Sequence, residues 1–262
     1  MKDNSCIVGK DAQITVIGRI RWLDVLRGIC VVLMVLDHFA LFFYNFYQPN
    51  IAKYFDFYEF TRRFISSDIR QYLRYGVISV FFIISGISCH FSSNNFKRGI
   101  RLALAAACIS AITGVLGASG VYDCLIICGV IHCYAIFVLL YTLINKITPP
   151  AYIRRVIAII CLAFILIAML MQIFQPKING SNALIFLGVP SESYIAPMEY
   201  AAPTSLAWAF FAGVWAGYYI KNIAFKQIKA FPVLSFIGRH AGVIYFANLP
   251  VIYAIIRIMM CI

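Results

Sequence analysis

Long uninterrupted apolar runs, not strand-like alternation, organise this chain. Seven stretches have the length of a membrane helix: 23–43, 76–92, 99–118, 121–145, 153–174, 201–220 and 235–260. A bilayer requires about 20 mainly apolar residues per helix. The pattern therefore predicts an all-α, polytopic transmembrane helical bundle of about seven spans. The second run is short and opens at Tyr75-Gly76, and a tight turn around Ala118-Ser119-Gly120 joins the third and fourth. Pro149-Pro150 and Pro176 fall between runs, where helix breakers belong. No polar linker, low-complexity tract or repeat divides the chain. Residues 1–18 read as an N-terminal tail and 19–262 as one transmembrane domain. The first 19 residues have no apolar core, and no small-residue cleavage site follows, so they do not read as a secretory signal.

Composition removes the soluble alternative. Of the 262 residues, 63% are hydrophobic and 12% charged, with a mean hydropathy of +0.87. A soluble domain runs nearer half apolar and a quarter charged. The formal net charge of +12 does not point to nucleic acid, because the aromatics lie inside apolar runs and not in a basic groove. Basic residues hold the cytoplasmic ends of membrane helices. Most of the 22 Lys and Arg fall on the side of the N-terminus, and the acidic residues do the reverse. The reading is N-terminus cytoplasmic, C-terminus outside, in a cell membrane of bacterial plasma-membrane type, with membrane lipid as the first partner. The nine cysteines are mostly inside apolar runs; Cys124, Cys128 and Cys133 cluster but form no CxxC pair. They read as buried free thiols, with no metal site.

Segment 44–75 departs from the apolar pattern. Tyr54-Phe55-Asp56-Phe57-Tyr58-Glu59-Phe60 is aromatic and acidic, and Arg62, Arg63, Arg70 and Arg74 follow. Two readings fit: an interfacial helix with snorkelling arginines, or a lid that binds a polar acceptor.

Ionisable residues inside hydrocarbon are costly, so each is a functional candidate. Asp37 and His38 lie in the outer part of the first run, and His132 near the middle of the fourth. Asp123, His90 and His240 sit at ends, where headgroups or water reach them. A histidine changes protonation near neutral pH and can take a proton from an attacking hydroxyl or amine. Adjacent residues on a helix point about 100° apart, so Asp37 need not touch His38. At the start of the first run, Asp24 and Arg27 are three apart and able to pair. Arginines there suit phosphates.

The string Arg21-Trp22-Leu23-Asp24-Val25-Leu26-Arg27-Gly28, followed by Leu33-Met34-Val35-Leu36-Asp37-His38, resembles the first helix of a transmembrane acyltransferase superfamily. The nearest likeness is to bacterial proteins with a heparan-alpha-glucosaminide N-acetyltransferase-like catalytic domain. Phe81-Phe82-Ile83-Ile84-Ser85-Gly86-Ile87-Ser88 resembles the second-helix motif, and Cys128-Gly129-Val130-Ile131-His132 the Gly-x-x-His/Gln segment. Phe231-Pro232-Val233-Leu234-Ser235-Phe236-Ile237-Gly238-Arg239-His240 with Ile244-Tyr245 resembles the last-helix motif.

The resemblance implies an acyl-CoA-dependent acyltransferase with no permanently bound cofactor. Acyl-CoA, acetyl-CoA in the first instance, would be the co-substrate, with phosphates near Arg21, Asp24, Arg27, Arg98 and Arg101. His38, with Asp37, would act on an amine or hydroxyl of a sugar-like acceptor at the outer face, as general base or as transient acyl carrier. Ser85, His132, Arg74 and Asn248 are the further polar candidates for the pocket. The chain departs from its relatives in two places. Asn248-Leu249-Pro250 stands where a His-Gln-Pro-like triplet is common. The animal N-acetyltransferases have Asn where this chain has His38, and a histidine in the outer loop where the region near Pro49 offers none. Two rival readings stand beside the enzyme: a proton-coupled small-molecule transporter using Asp37, His38 and His132, and a haem protein ligated by His38 and His132. A homodimer is left open.

Overall fold

The computed structural model describes residues 20–47, 54–118, 125–174, 184–187, 189, 201–221 and 231–261. The tail 1–18, the region near Pro49, Ser119-Gly120, Asp123, Cys124 and Pro176 lie outside these residues. Nine α-helices run through the described residues, and no strand is among them: α1 (Arg21–Phe46), α2 (Phe55–Ile65), α3 (Asp68–Ser88), α4 (Asn95–Ala118), α5 (Val130–Ile147), α6 (Ile153–Phe174), α7 (Pro203–Ile220), α8 (Pro232–Arg239) and α9 (Ala241–Cys261).

Six helices, α1, α3, α4, α5, α6 and α9, are long and apolar enough to cross a membrane. The seventh expected span is α7, whose glycines, aromatics and small residues give it less hydropathy than its neighbours. It is also deeply buried, with Ala207, Ala209, Phe210, Phe211 and Val214 inaccessible. It packs on α3 and α6, so its partners are helices more than lipid.

Contacts fix the relative directions of α1, α3, α4, α5, α7 and α9. Arg27 meets Ser88 and Asp37 meets Arg70, so α1 and α3 are antiparallel. Gly99 lies against Leu139, and Ser110 meets His132, so α4 and α5 are antiparallel. Phe81 packs on Tyr134 and His90 on Tyr141, making α3 and α5 parallel. Ile83 lies on Gly213 and His90 on Gly217, making α3 and α7 parallel. His38 meets Asn248, and Phe46 meets Tyr253, so α9 runs parallel to α1. These directions form a consistent up-and-down bundle only when α7 is counted as a crossing.

Two glycine pairs set the closest helix approaches. A Cβ added to Gly28 would strike the carbonyl of Leu234, and one added to Gly238 the carbonyl of Asp24. A Cβ at Gly86 would strike the Phe210 carbonyl, and one at Gly213 the Ile83 carbonyl. Small residues let backbones touch in a lipid environment, where burial of apolar surface drives little.

Three sequence expectations are corrected. Within the run 121–145, residues 125–129 are not helical and α5 begins at Val130. His132 therefore lies in the first turn, not at mid-span. There the Gly129 N–H donates to His132 Nδ1 at 3.2 Å, so the Nε2–H donates to Ser110 Oγ at 2.9 Å, and that hydroxyl donates to the Ile126 carbonyl at 2.7 Å. The histidine caps α5 and ties it to α4. The run 235–260 is not one helix either. The His240 ring donates from Nδ1 to the Phe236 carbonyl at 2.9 Å, and the chain breaks there between α8 and α9. Finally, the helix expected over 76–92 starts at Asp68, because Ser67 caps it by accepting from the Arg70 N–H at 3.3 Å.

Segment 44–75 thus holds the end of α1, the short α2 and the start of α3. On the exposed side of α2, Arg62 donates to Glu59 at 2.8 Å, and this hydrogen bond holds the Glu59 carboxyl below its ordinary range. The aromatic side of α2 packs on α1, with Phe57 edge-on to Phe43 at 4.6 Å and Tyr58 stacked on Tyr47 at 4.5 Å. Among the described cysteines, Cys30, Cys89, Cys128 and Cys133 are buried free thiols, and those of Cys128 and Cys133 both point at the Ala201 carbonyl, at 3.3 and 3.4 Å, whereas Cys108 is exposed.

Gly238→Ala places a methyl against main chain and forces α8 off α1. The expected cost is about 1–3 kcal/mol, as for overpacked cores. Gly76→Ala, with nothing within 4 Å of the new atom, serves as control. Thermal unfolding of the purified variants in detergent checks this: the first should lose midpoint temperature, the second should not.

Candidate active site

Helix α1 presents charged or polar side chains at three levels. At its start, Asp24 is 3% exposed and accepts from Arg27 at 2.9 Å across one turn. Arg27 also donates to Ser88 Oγ at 2.7 Å, and Ser88 in turn donates to the Ile84 carbonyl. The expected Asp24–Arg27 pair is present, and it latches α1 to the end of α3.

Asp37 faces α3. It accepts two hydrogen bonds from Arg70, at 2.6 and 3.0 Å, in a fork on a carboxylate. Asp37 therefore does not orient His38; it makes a second α1–α3 latch. Arg70 was not legible as its partner, although it stands one turn before Arg74 and so on the same face.

His38 turns the other way, toward α9. Its Nδ1 lies 2.8 Å from Asn248 Oδ1, with both residues buried. The Asn248 amide nitrogen donates to the Tyr245 carbonyl. That bond orients the amide, so its oxygen faces His38 and accepts from Nδ1–H. The proton is thereby held on Nδ1, and the Nε2 lone pair is left as the basic position. Asn248 cannot act as a base, yet it selects the tautomer that can.

A cavity of about 700 Å³ joins these levels. Arg27, Arg98 and Arg239 line one end. Cys30, Val31, Met34, Phe81 and Tyr134 line its middle, and His38, Asp37, Arg70 and Arg74 its far end with the aromatic face of α2. From Arg27 to His38 is roughly 16 Å of helix at ~1.5 Å per residue. The volume lies in the ordinary range of small-molecule sites. Arg98 reaches into the cavity over the Tyr134 ring, 5.1 Å from its centroid.

Other candidates lie elsewhere. Arg21 and Arg101 are exposed and do not line the cavity. Arg101 is three residues past Arg98, and about 60° round the helix is enough to turn it out. Arg239, at the end of α8, is a lining residue that the sequence reading gave only as part of the last-helix motif. Ser85 is fully buried on α3, its hydroxyl has no partner, and it does not line the cavity. His132 does not line it either, being engaged in the α5 cap. The rings of His38 and His132 thus serve separate structures, and the geometry gives no shared ligand site to the haem reading. His90 donates from Nε2 to the Val214 carbonyl at 2.9 Å and packs on Tyr218, joining α3 to α7.

The arrangement combines a cationic end, an apolar conduit and a histidine held as a base. No curated protein and no solved structure matches the chain. A family model does: the one described as heparan-alpha-glucosaminide N-acetyltransferase, catalytic, over residues 19–250. That match covers most of the 262 residues and includes every residue that lines the cavity. The chain belongs to the heparan-alpha-glucosaminide N-acetyltransferase catalytic family, a family of multi-pass membrane acetyltransferases.

Proposed function

We propose that the protein moves an acyl group, acetyl in the first instance, from cytoplasmic acyl-CoA to an amine or hydroxyl at the outer face of the membrane. His38 is the general base. The observation that carries this reading is one continuous cavity with arginines at one end and the Asn248-oriented His38 at the other. The positive-inside bias of the sequence sets the arginine end toward the cytoplasm, and family membership favours acetyl-CoA as donor.

The donor phosphates meet Arg98, Arg239 and Arg27. Its thioester arm follows the apolar wall of Cys30, Met34 and Phe81 to His38. The acceptor nitrogen or oxygen attacks the thioester carbonyl. His38 Nε2 takes the acceptor's proton as the new N–C or O–C bond forms, the C–S bond breaks, and the proton passes to the departing thiolate. Asn248 keeps Nδ1 protonated and accepts more strongly as the imidazolium develops. Asp37, its charge compensated by Arg70, holds α1 against α3 beside His38 without touching the ring. Ser85 lies off the cavity, so the oxyanion falls to other donors.

A proton-coupled transporter would need His38 and His132 along one path. His132 is engaged at the α5 cap, which favours the enzyme.

His38→Ala should lower release of free CoA from acetyl-CoA by about 10²–10⁴-fold, the usual worth of a positioned base, in protein that still folds. Unchanged turnover would sink the assignment. Asn248→Leu should lower kcat and leave KM for acetyl-CoA nearly unchanged. Asn248→Asp should retain turnover, because a carboxylate accepts the same proton. The carboxylate also favours the imidazolium, so the acidic limb of the pH–rate profile should move to higher pH. A profile that stays in place would remove Asn248 from the mechanism. Arg98→Gln should raise KM for acetyl-CoA about tenfold, as expected for a lost charge-assisted contact, and change kcat less. Steady-state kinetics on the purified protein check each.

A further inference from the structure

We propose that the cavity opens sideways to the bilayer, between α1 and α3 beneath α2, and that the acceptor enters there as a lipid-like molecule with an anionic head. This rests on the acyltransferase reading above and adds the class of acceptor.

The helical phase of α1 carries the first part. Successive residues turn about 100°. Gly28, Val35 and Phe42 lie on the side packed against α8 and α9. Leu33, Leu36 and Ala40 lie on the opposite side. A cavity confined between α1, α3 and α9 would be lined by Val31, Met34 and His38 but not by those three. It is lined by both sets. The space therefore passes round α1 on its α3 side and reaches the bundle's outer surface.

Exposure supports the same conclusion. Leu33 and Leu36 are 45% and 59% exposed, and Leu73, on the facing side of α3, is 57% exposed, yet all three line the cavity. Values that high do not belong to a closed chamber. At this depth of a spanning helix the surrounding medium is hydrocarbon. Over the opening lies α2, with Phe57, Phe60 and Phe64 in sequential stacked pairs at 6.2 and 6.5 Å.

The rim defines the head. Arg70 and Arg74 line this end, and Asp37 is the one carboxylate among the cavity's lining residues. Guanidinium groups match phosphate oxygens in shape and charge. An acceptor free in water has no use for three open leucines at hydrocarbon depth. An alkyl chain lies along them, while a phosphate meets the arginines and brings the attached amine or hydroxyl to His38.

The test uses the full-length protein in detergent, with acetyl-CoA and two acceptors sharing one head: glucosamine 1-phosphate and its dodecyl phosphodiester. The dodecyl compound should show kcat/KM about a hundredfold higher, a part of what full burial of its chain would supply. Leu36→Gln and Leu73→Gln should each lower that value about tenfold and leave glucosamine 1-phosphate unchanged. Arg74→Gln should lower both. Equal kcat/KM for the two acceptors, or transfer to glucosamine 1-phosphate alone, overturns lipid delivery while the acyltransferase reading stands. If Leu73→Gln instead lowers turnover of octanoyl-CoA and spares the dodecyl acceptor, the opening serves the donor chain and the proposal fails. Native mass spectrometry with dodecyl phosphate and inorganic phosphate separates the remaining cases. Leu73-dependent retention of dodecyl phosphate alone, without transfer to either acceptor, upholds the opening and overturns the acyltransferase reading. Retention of inorganic phosphate as well as of dodecyl phosphate, independent of Leu73, marks an anion site and overturns the lipid. Absence of both binding and transfer overturns the opening.

Discussion

The closeness of α1 to α8 governs the site. Gly28 and Gly238 remove the two side chains that would keep these backbones apart. The helices run parallel, so a register set at one level persists along both. The offset between Gly28 and Gly238 is the offset between His38 and Asn248. The break at His240 does not disturb it, because α9 continues beside α1 as far as Ile252 and Ile256 on Phe42 and Phe43. A shift of one residue at the crossing would turn the Asn248 amide by about 100° and leave a buried imidazole without its partner. Backbone contact at one level thus sets a hydrogen bond at another, roughly 15 Å of helix away.

The bilayer explains why so few acids and histidines stand within the spans and why those among the described residues are engaged. Charge within hydrocarbon is expensive unless paired. Asp24 has Arg27, Asp37 has Arg70, His38 has Asn248, and His132 has Ser110 and the Gly129 amide. Each bond also joins separate elements or steadies one. Their difference lies in what remains unused. The His132 bonds engage both ring nitrogens. The Asn248 bond engages Nδ1 of His38 and leaves Nε2 toward the cavity. Burial and ionisability alone would rank the two histidines together; the geometry of the second nitrogen separates them.

The helices were legible because hydrocarbon thickness imposes a length, and α1, α4 and α6 follow it closely. The boundaries missed were those set by polar capping. Nothing in hydropathy places the start of α5 at Val130, since the residues before it are equally apolar; the His132 ring sets it. The α8–α9 break is hidden in the same way by an apolar run, and His240 makes it. Within the site, His38 and the Asp24–Arg27 pair could be read from one helix, where spacing determines proximity. The partners Asn248 and Arg70 could not. They lie 210 and 33 residues away in sequence, and which helix neighbours which is fixed by glycine contacts that a hydropathy pattern does not contain. Asn248 was singled out for departing from a motif, and its amide is the group that departure supplies.

Helix α1 is the element common to every contact that matters. Arg27 and Asp37 latch it to α3 at two levels, and Gly28 and His38 register it against α8 and α9. Helices α4, α5, α6 and α7 pack on one another and on α3, while α8 and α9 pack chiefly on α1. The molecule is therefore two packed groups sharing a seam, and the cavity follows that seam. Space at a seam needs no sacrifice of core packing, because neither group is hollowed to make it. It also runs beside α1 from Arg27 to Ala40. One helix can then carry the cationic end, the conduit wall and the base, with its neighbours supplying orientation. Function is concentrated on α1 because α1 meets α3 at two levels and carries α8 and α9 on its other side.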